Sequence, residues 1–202
     1  MRLLELFSGT GSVRKAVGNR FEEIISIDIL QKFNPTECCD ILDWNYKKYP
    51  IGYFEVVWAS PPCTEYSKVL NSRPDRIRDL NGANRIVEKT IEIIEYFNPD
   101  KWFIENPQTG LLKDQDFMMA LPFVDVDYCR YGFPYRKRTR IWTNVEYEGK
   151  LCEKLCGNII GNRHKNSIGN SSYEEFWNRG IDARLHQRYA IPPALIQDLF
   201  NA

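Results

Sequence analysis

The sequence predicts an α/β chain built on a mainly parallel, doubly wound sheet, and three observations carry that expectation. A short apolar run at 2–7 leads into Gly9-Thr10-Gly11-Ser12 and then into helix-forming residues 13–17, a strand–glycine–helix entry suited to a nucleotide-like ligand. Apolar runs recur at 24–27, 54–58, 102–104, 124–126 and 140–142. Between them, residues 83–97 carry Ile86, Val87, Ile91, Ile94 and Phe97 at helical spacing.

The chain has 202 residues, 43% of them hydrophobic, which is enough for one substantial core and a small appendage. The main unit is expected at 1–143. Gly, Asn, Ser, Cys and His dominate the stretch after Thr143, so 144–186 reads as an irregular insertion. In the remaining 187–202, Leu195, Ile196, Leu199 and Phe200 follow Pro192-Pro193 at helical spacing and form a helix expected to dock back on the core. Lys plus Arg and Asp plus Glu each number 27, so no protein-wide positive field attracts nucleic acid and any such contact must be a local patch. No long apolar stretch follows Met1, and the protein is expected to be soluble, intracellular and monomeric, without a membrane partner. Six cysteines are too few for a disulfide framework at this length.

Taken in order, the first element offers glycines that bring backbone N–H groups close to a ligand, although Gly9-Thr10-Gly11 lacks a third glycine and is equally a structural turn. Asp28 ends the second strand about 20 residues further on, where an acid can hold ribose hydroxyls. Asp40 follows a third short strand, either as another polar group at that edge or as a cap for Ile41 onwards. In Val56-Val57-Trp58-Ala59-Ser60-Pro61-Pro62-Cys63 a buried strand ends in two prolines that fix the backbone and present a thiol. The next strand, Lys101-Trp102-Phe103-Ile104, ends in Glu105-Asn106-Pro107 and puts a carboxylate at the same edge. Cys38 and Cys39 are expected in the core.

These segments, in this order, resemble the cytosine-C5 DNA methyltransferase family. Leu6-Phe7-Ser8-Gly9-Thr10-Gly11 is similar to its cofactor loop, Pro61-Pro62-Cys63 to its nucleophile motif and Glu105-Asn106-Pro107 to its acid motif. Tyr131-Gly132-Phe133-Pro134 with Arg138-Thr139-Arg140 resembles the arginine motif, and Ile191-Pro192-Pro193 the closing motif. The resemblance implies a Rossmann-like fold that binds S-adenosyl-L-methionine. Phe7 would stack on adenine, Gly9 and Gly11 would line the methionine side, Asp28 would hold the ribose and Asp40 would meet the adenine amino group, with Ser8, Ile29 and Ile41 in the same site. It also implies Cys63 as nucleophile at cytosine C6, Glu105 as the acid at N3, and Arg138 and Arg140 fixing a base flipped out of double-stranded DNA. RNA is the alternative substrate, and a catalytically inactive nucleic-acid-binding relative is a further reading.

The chain departs from the family at Pro107, at Arg136 and at Tyr189-Ala190, and its insertion is short, which predicts a short or permissive target sequence. Lys68, Arg73, Arg76 and Arg78, in the loop after Cys63, supply local positive charge, while Arg136 and Lys137 read as phosphate contacts. Cys152, Cys156 and His164 have the spacing of half a zinc site, with Cys129 and His186 as further candidates by elimination only. Plain buried thiols are the preferred reading, and no metal is assigned.

Overall fold

The computed structural model describes residues 1–73, 75–166 and 189–202. Seven strands form one sheet: β1 (Arg2–Leu6), β2 (Glu23–Asp28), β3 (Glu37–Cys38), β4 (Val56–Ala59), β5 (Lys101–Pro107), β6 (Phe123–Asp127) and β7 (Arg138–Thr143), in the order β3-β2-β1-β4-β5-β7-β6. The first five run parallel, and β7 enters antiparallel between β5 and β6. The expected mainly parallel, doubly wound sheet is therefore present. Its strand order reverses between β1 and β4, the switch point where open α/β sheets bind ligands.

Because β-strand side chains alternate, each strand feeds two cores. Leu4, Leu6, Ile25, Ile27, Val57, Ala59, Ile104 and Trp142 pack on one face, against Val87, Ile93, Ile94 and Phe97 of α2 (Leu80–Phe97). Leu3, Val56, Trp58, Phe103 and Ile141 pack on the other. They meet Val13 of α1 (Ser12–Val17) and Leu195, Ile196, Leu199 and Phe200 of α4 (Pro193–Asn201). A short α3 (Asp116–Met119) precedes β6.

Local chemistry sets the boundaries of these elements. The Asp79 carboxylate accepts the Gly82 N–H at 2.8 Å and starts α2, and Asn98 stops it at φ 45° while donating its N–H to Ile94 O at 2.9 Å. Pro193 occupies the first turn of α4, where a missing N–H costs nothing. No helix among the described residues is long and apolar enough to cross a membrane.

Residues 144–166 begin by running along β6, with the Asp127 N–H donating to Lys150 O at 3.1 Å, and end in a two-stranded ribbon of β8 (Ile159–Ile160) and β9 (Arg163–His164). The expectation for Cys38 is corrected, since it is exposed, while Cys39 is half-buried and packs against the first core. β3 is only two residues long and lies at the edge of the sheet among the described residues.

Candidate active site

A cavity of about 330 Å³ opens at the carboxyl ends of β1, β2, β4 and β5. The turn leaving β1 makes its floor. Phe7, Gly9 and Gly11 all have left-handed backbone, with φ of 58°, 45° and 68°; for Phe7, a non-glycine residue, this is strained geometry of the kind that gathers at ligand sites. Hydrogen bonds hold the strained turn: Ser8 N–H donates to Ile27 O at 3.0 Å, and Gly9 N–H to Asp28 Oδ2 at 2.8 Å. Asp28 Oδ1 accepts the Leu30 N–H at 2.8 Å. Asp40 turns its own loop by accepting the Leu42 N–H at 2.9 Å, so its cap-like role and its place on the cavity wall coexist.

Of the eight residues expected to bind cofactor, Phe7, Ser8, Gly9, Asp28, Ile29, Asp40 and Ile41 line this cavity. Gly11 sits at its base as the N-cap of α1. The wall suits a ligand with a flat apolar part and several polar groups. Ile29 and Leu30 line it although 62% and 46% exposed, and buried Glu5 Oε2, Ser8 Oγ and Asn106 Oδ1 have no hydrogen-bond partner among the described residues. Burial lifts the Glu5 carboxyl to about 7, against Arg14 and the Val13 N–H, which pull it down.

The reactive groups stand at two neighbouring strand tips. β4 and β5 are in register, Ala59 beside Ile104, so Ser60-Pro61-Pro62-Cys63 and Glu105-Asn106-Pro107 leave the sheet side by side. Asn106 Nδ2 donates to Pro61 O at 2.9 Å and clamps the two segments together. Half-buried Cys63 and buried Glu105 both face the cavity. Glu105 Oε1 accepts hydrogen bonds from Tyr128 Oη at 2.9 Å and from Lys137 Nζ at 3.2 Å. Burial and the neighbouring Glu105 push the Tyr128 hydroxyl well above its ordinary pKa, so it stays a donor.

Arg138 and Arg140 are not brought to this cavity. Along β7 they project on the face opposite Glu105, where each makes a two-point pair with a β6 carboxylate. Arg138 binds Asp127 at 3.0 and 2.7 Å, and Arg140 binds Asp125 at 2.7 and 2.9 Å while lying 3.5 Å from the centre of the Phe123 ring. Lys137, expected at a phosphate, lines the cavity, as does Lys32. The basic loop after Cys63 is also partly committed. Arg76, though exposed, pairs with Glu65, and Arg78 donates to the carbonyls of Glu65 and Ser67, which leaves Lys68 and Arg73 as the loop's exposed cations without an ion pair among the described residues.

No family model matches the chain. Compared with curated proteins, it is 35% identical over 218 residues to the "Probable DNA (cytosine-5)-methyltransferase" of Frog virus 3 (isolate Goorha), covering 100% of this chain and 99% of that one. The chain belongs to the DNA (cytosine-5)-methyltransferase family. Solved structures agree in fold. The S. pombe Dnmt2 methyltransferase matches with a TM-score of 0.52 at 15% identity, over 76% of this chain and 54% of that one. The Entamoeba histolytica methyltransferase EhMeth matches with a TM-score of 0.51 at 16% identity, over 74% and 56%. The chain thus spans about half the length of the solved methyltransferases it matches.

Glu5 and Tyr128 lay outside the sequence reading, and Lys137 and Ile191 were read there without a place in this cavity. Glu5 sits inside an apolar strand and gives no periodic signal; only its being the lone charge in 3–7 marked it. Tyr128 and Lys137 reach Glu105 through the β6–β7 connection, which no local pattern reveals. Ile191, from the closing motif, lines the cavity because its N–H donates to Ser12 Oγ at 3.2 Å, drawing the chain back to the glycine turn.

Proposed function

We propose that this chain methylates C5 of cytosine in DNA, using S-adenosyl-L-methionine and a covalent Cys63 adduct. One observation carries the reading: Cys63 and Glu105 stand on adjacent parallel strand tips and open onto the same cavity as the glycine turn, Asp28 and Asp40. Phe7, Ser8, Gly9, Asp28, Ile29, Asp40 and Ile41 would hold the cofactor, which supplies an electrophilic methyl group on a sulfonium.

The protein's part is to make a poor nucleophile reactive. Cytosine C5 does not accept a methyl group unaided, but addition of the Cys63 thiolate to C6 breaks the C5–C6 double bond and leaves C5 enamine-like. Glu105 hydrogen-bonds and protonates N3 and so takes up the developing negative charge. Tyr128 and Lys137 both bond Oε1, so Oε2 is the oxygen this reading gives to the base. After C5 is substituted, loss of its proton restores the double bond and expels Cys63. Reaching C6 requires extruding the base from the duplex, at a cost of a few kcal/mol. Exposed Lys68 and Arg73 lie on the segment that follows the nucleophile and would meet phosphate. The short insertion matches a short target sequence.

The test is incubation with S-adenosyl-L-methionine and duplexes carrying 5-fluorocytosine in varied contexts, followed by intact mass and peptide mapping. Fluorine at C5 blocks the last elimination, so an adduct on Cys63 is expected with wild-type protein. Cys63→Ala should give neither adduct nor turnover while retaining DNA binding. An adduct on RNA alone would move the substrate class. Full turnover by Cys63→Ala would end the covalent reading.

A further inference from the structure

Away from the cavity, four side chains from separate parts of the chain converge. Cys129 lies in the 3-10 turn after β6, Cys152 where the chain leaves the β6 edge, Cys156 four residues later and His164 on β9. Their potential ligand atoms all lie within 4.8 Å of one another. His164 Nε2 is 3.3 Å from Cys152 Sγ and 3.4 Å from Cys156 Sγ. Ligands around a tetrahedral ion with bonds of about 2.0–2.3 Å are separated by roughly 3.5 Å, so the two His164–thiol distances are those of a coordination shell and the looser contacts need only a small closure around an ion.

The backbone around these residues is built to the same end. Asp127 Oδ2 accepts the Cys152 N–H at 2.8 Å and fixes that cysteine against β6. The chain then bends through left-handed Lys154 and Gly157, with φ of 64° and 73°, wrapping tightly around Cys156. Among the described residues the surrounding segment buries little apolar surface of its own. Leu151, Leu155 and Ile160 are exposed, and β8 and β9 have two residues each.

We propose that Cys129, Cys152, Cys156 and His164 form a structural zinc site that staples the segment after β7 to the end of β6. Three thiolates and an imidazole in a closed set of four suit zinc, and leave no position for a substrate or catalytic water. His186 lies outside the described residues. The site adjoins the reactive centre in one respect: Cys129 directly follows Tyr128, whose hydroxyl bonds Glu105. Metal binding therefore fixes the turn that presents a donor to the acid.

The test needs no methyltransferase activity. Full-length, untagged protein dialysed into metal-free buffer should retain about one zinc per chain by elemental analysis. Cys156→Ala should lose it, Cys38→Ser should keep it, and His164→Cys, which preserves four ligands, should also keep it. Wild-type protein refolded with cobalt should show thiolate-to-cobalt charge-transfer absorption and tetrahedral visible bands, a reading that depends on no variant folding. A strong chelator should lower the unfolding midpoint of the wild type and leave that of Cys156→Ala unmoved. Less than about half a zinc per chain, iron in its place, or no cobalt–thiolate band would overturn the assignment.

Discussion

Burial holds Glu5 as a neutral acid over much of the acidic pH range, since its carboxyl is lifted from 4.5 to about 7 in the fold. Between those values the unfolded chain has released the proton and the folded chain still binds it, so stability falls as pH rises through this window. The loss is on the order of 3 kcal/mol at most. Glu5→Gln mimics the neutral acid, so its stability relative to wild type should improve between pH 5 and pH 8 by up to about that amount, read from urea midpoints at each pH. An unchanged difference at the two pH values would show that Glu5 ionises freely. The contrast with Cys63 and Glu105 explains what a single residue reveals. Those two end apolar strands beside proline, where a polar side chain stands out, whereas Glu5 is embedded in a run that reads as core.

At the scale of the element, β7 shows why its local sequence does not fix which basic residues face Glu105. Arg136-Lys137-Arg138-Thr139-Arg140 is polar at every position, so alternation marks no inner face, and only the pairing with β5 and β6 fixes which side chains point where. That pairing aims Lys137 at Glu105 and the two arginines at Asp127 and Asp125. Lys137→Met should therefore cut turnover by about tenfold or more with little change in the unfolding midpoint. Arg140→Met, which loses an ion pair and a cation–ring contact, should cost about 1–2 kcal/mol of stability and affect turnover less. Parallel steady-state kinetics and denaturation would check this; the opposite pattern would return Arg140 to the base pocket. The elements themselves were legible where period and caps agree, as in α2 and α4. The antiparallel entry of β7 was not, because strand direction leaves no mark on hydrophobic period.

At the scale of the whole molecule, the second core depends on the chain's closing helix. Phe200 stacks on Phe103 with ring centres 5.3 Å apart, meets Phe21 edge-on at 5.9 Å and lies 6.0 Å from Trp58. Phe200→Ala should destabilise the protein by about 3–5 kcal/mol in chemical denaturation, and a cost under about 1 kcal/mol would mean that α4 docks only loosely. The doubly wound plan was readable from the order of apolar runs and a glycine turn, whereas the two cores it creates were read as one. The proposed zinc site was readable only in part: Cys152, Cys156 and His164 show their spacing in the sequence, whereas Cys129 joins them only once β6 and its neighbouring segment lie together. Sheet geometry also frees the reactive pair from chain length. Cys63 and Glu105 follow neighbouring strands, so their spacing comes from an interstrand distance of about 4.8 Å and not from the residues between them. Lengthening the loop at 64–79 is a cheap change, since doubling a flexible loop adds only about 0.6 kcal/mol of closure entropy. Under the proposed mechanism, a longer loop beside Cys63 could therefore arise by simple insertion, with Cys63 and Glu105 left where they stand.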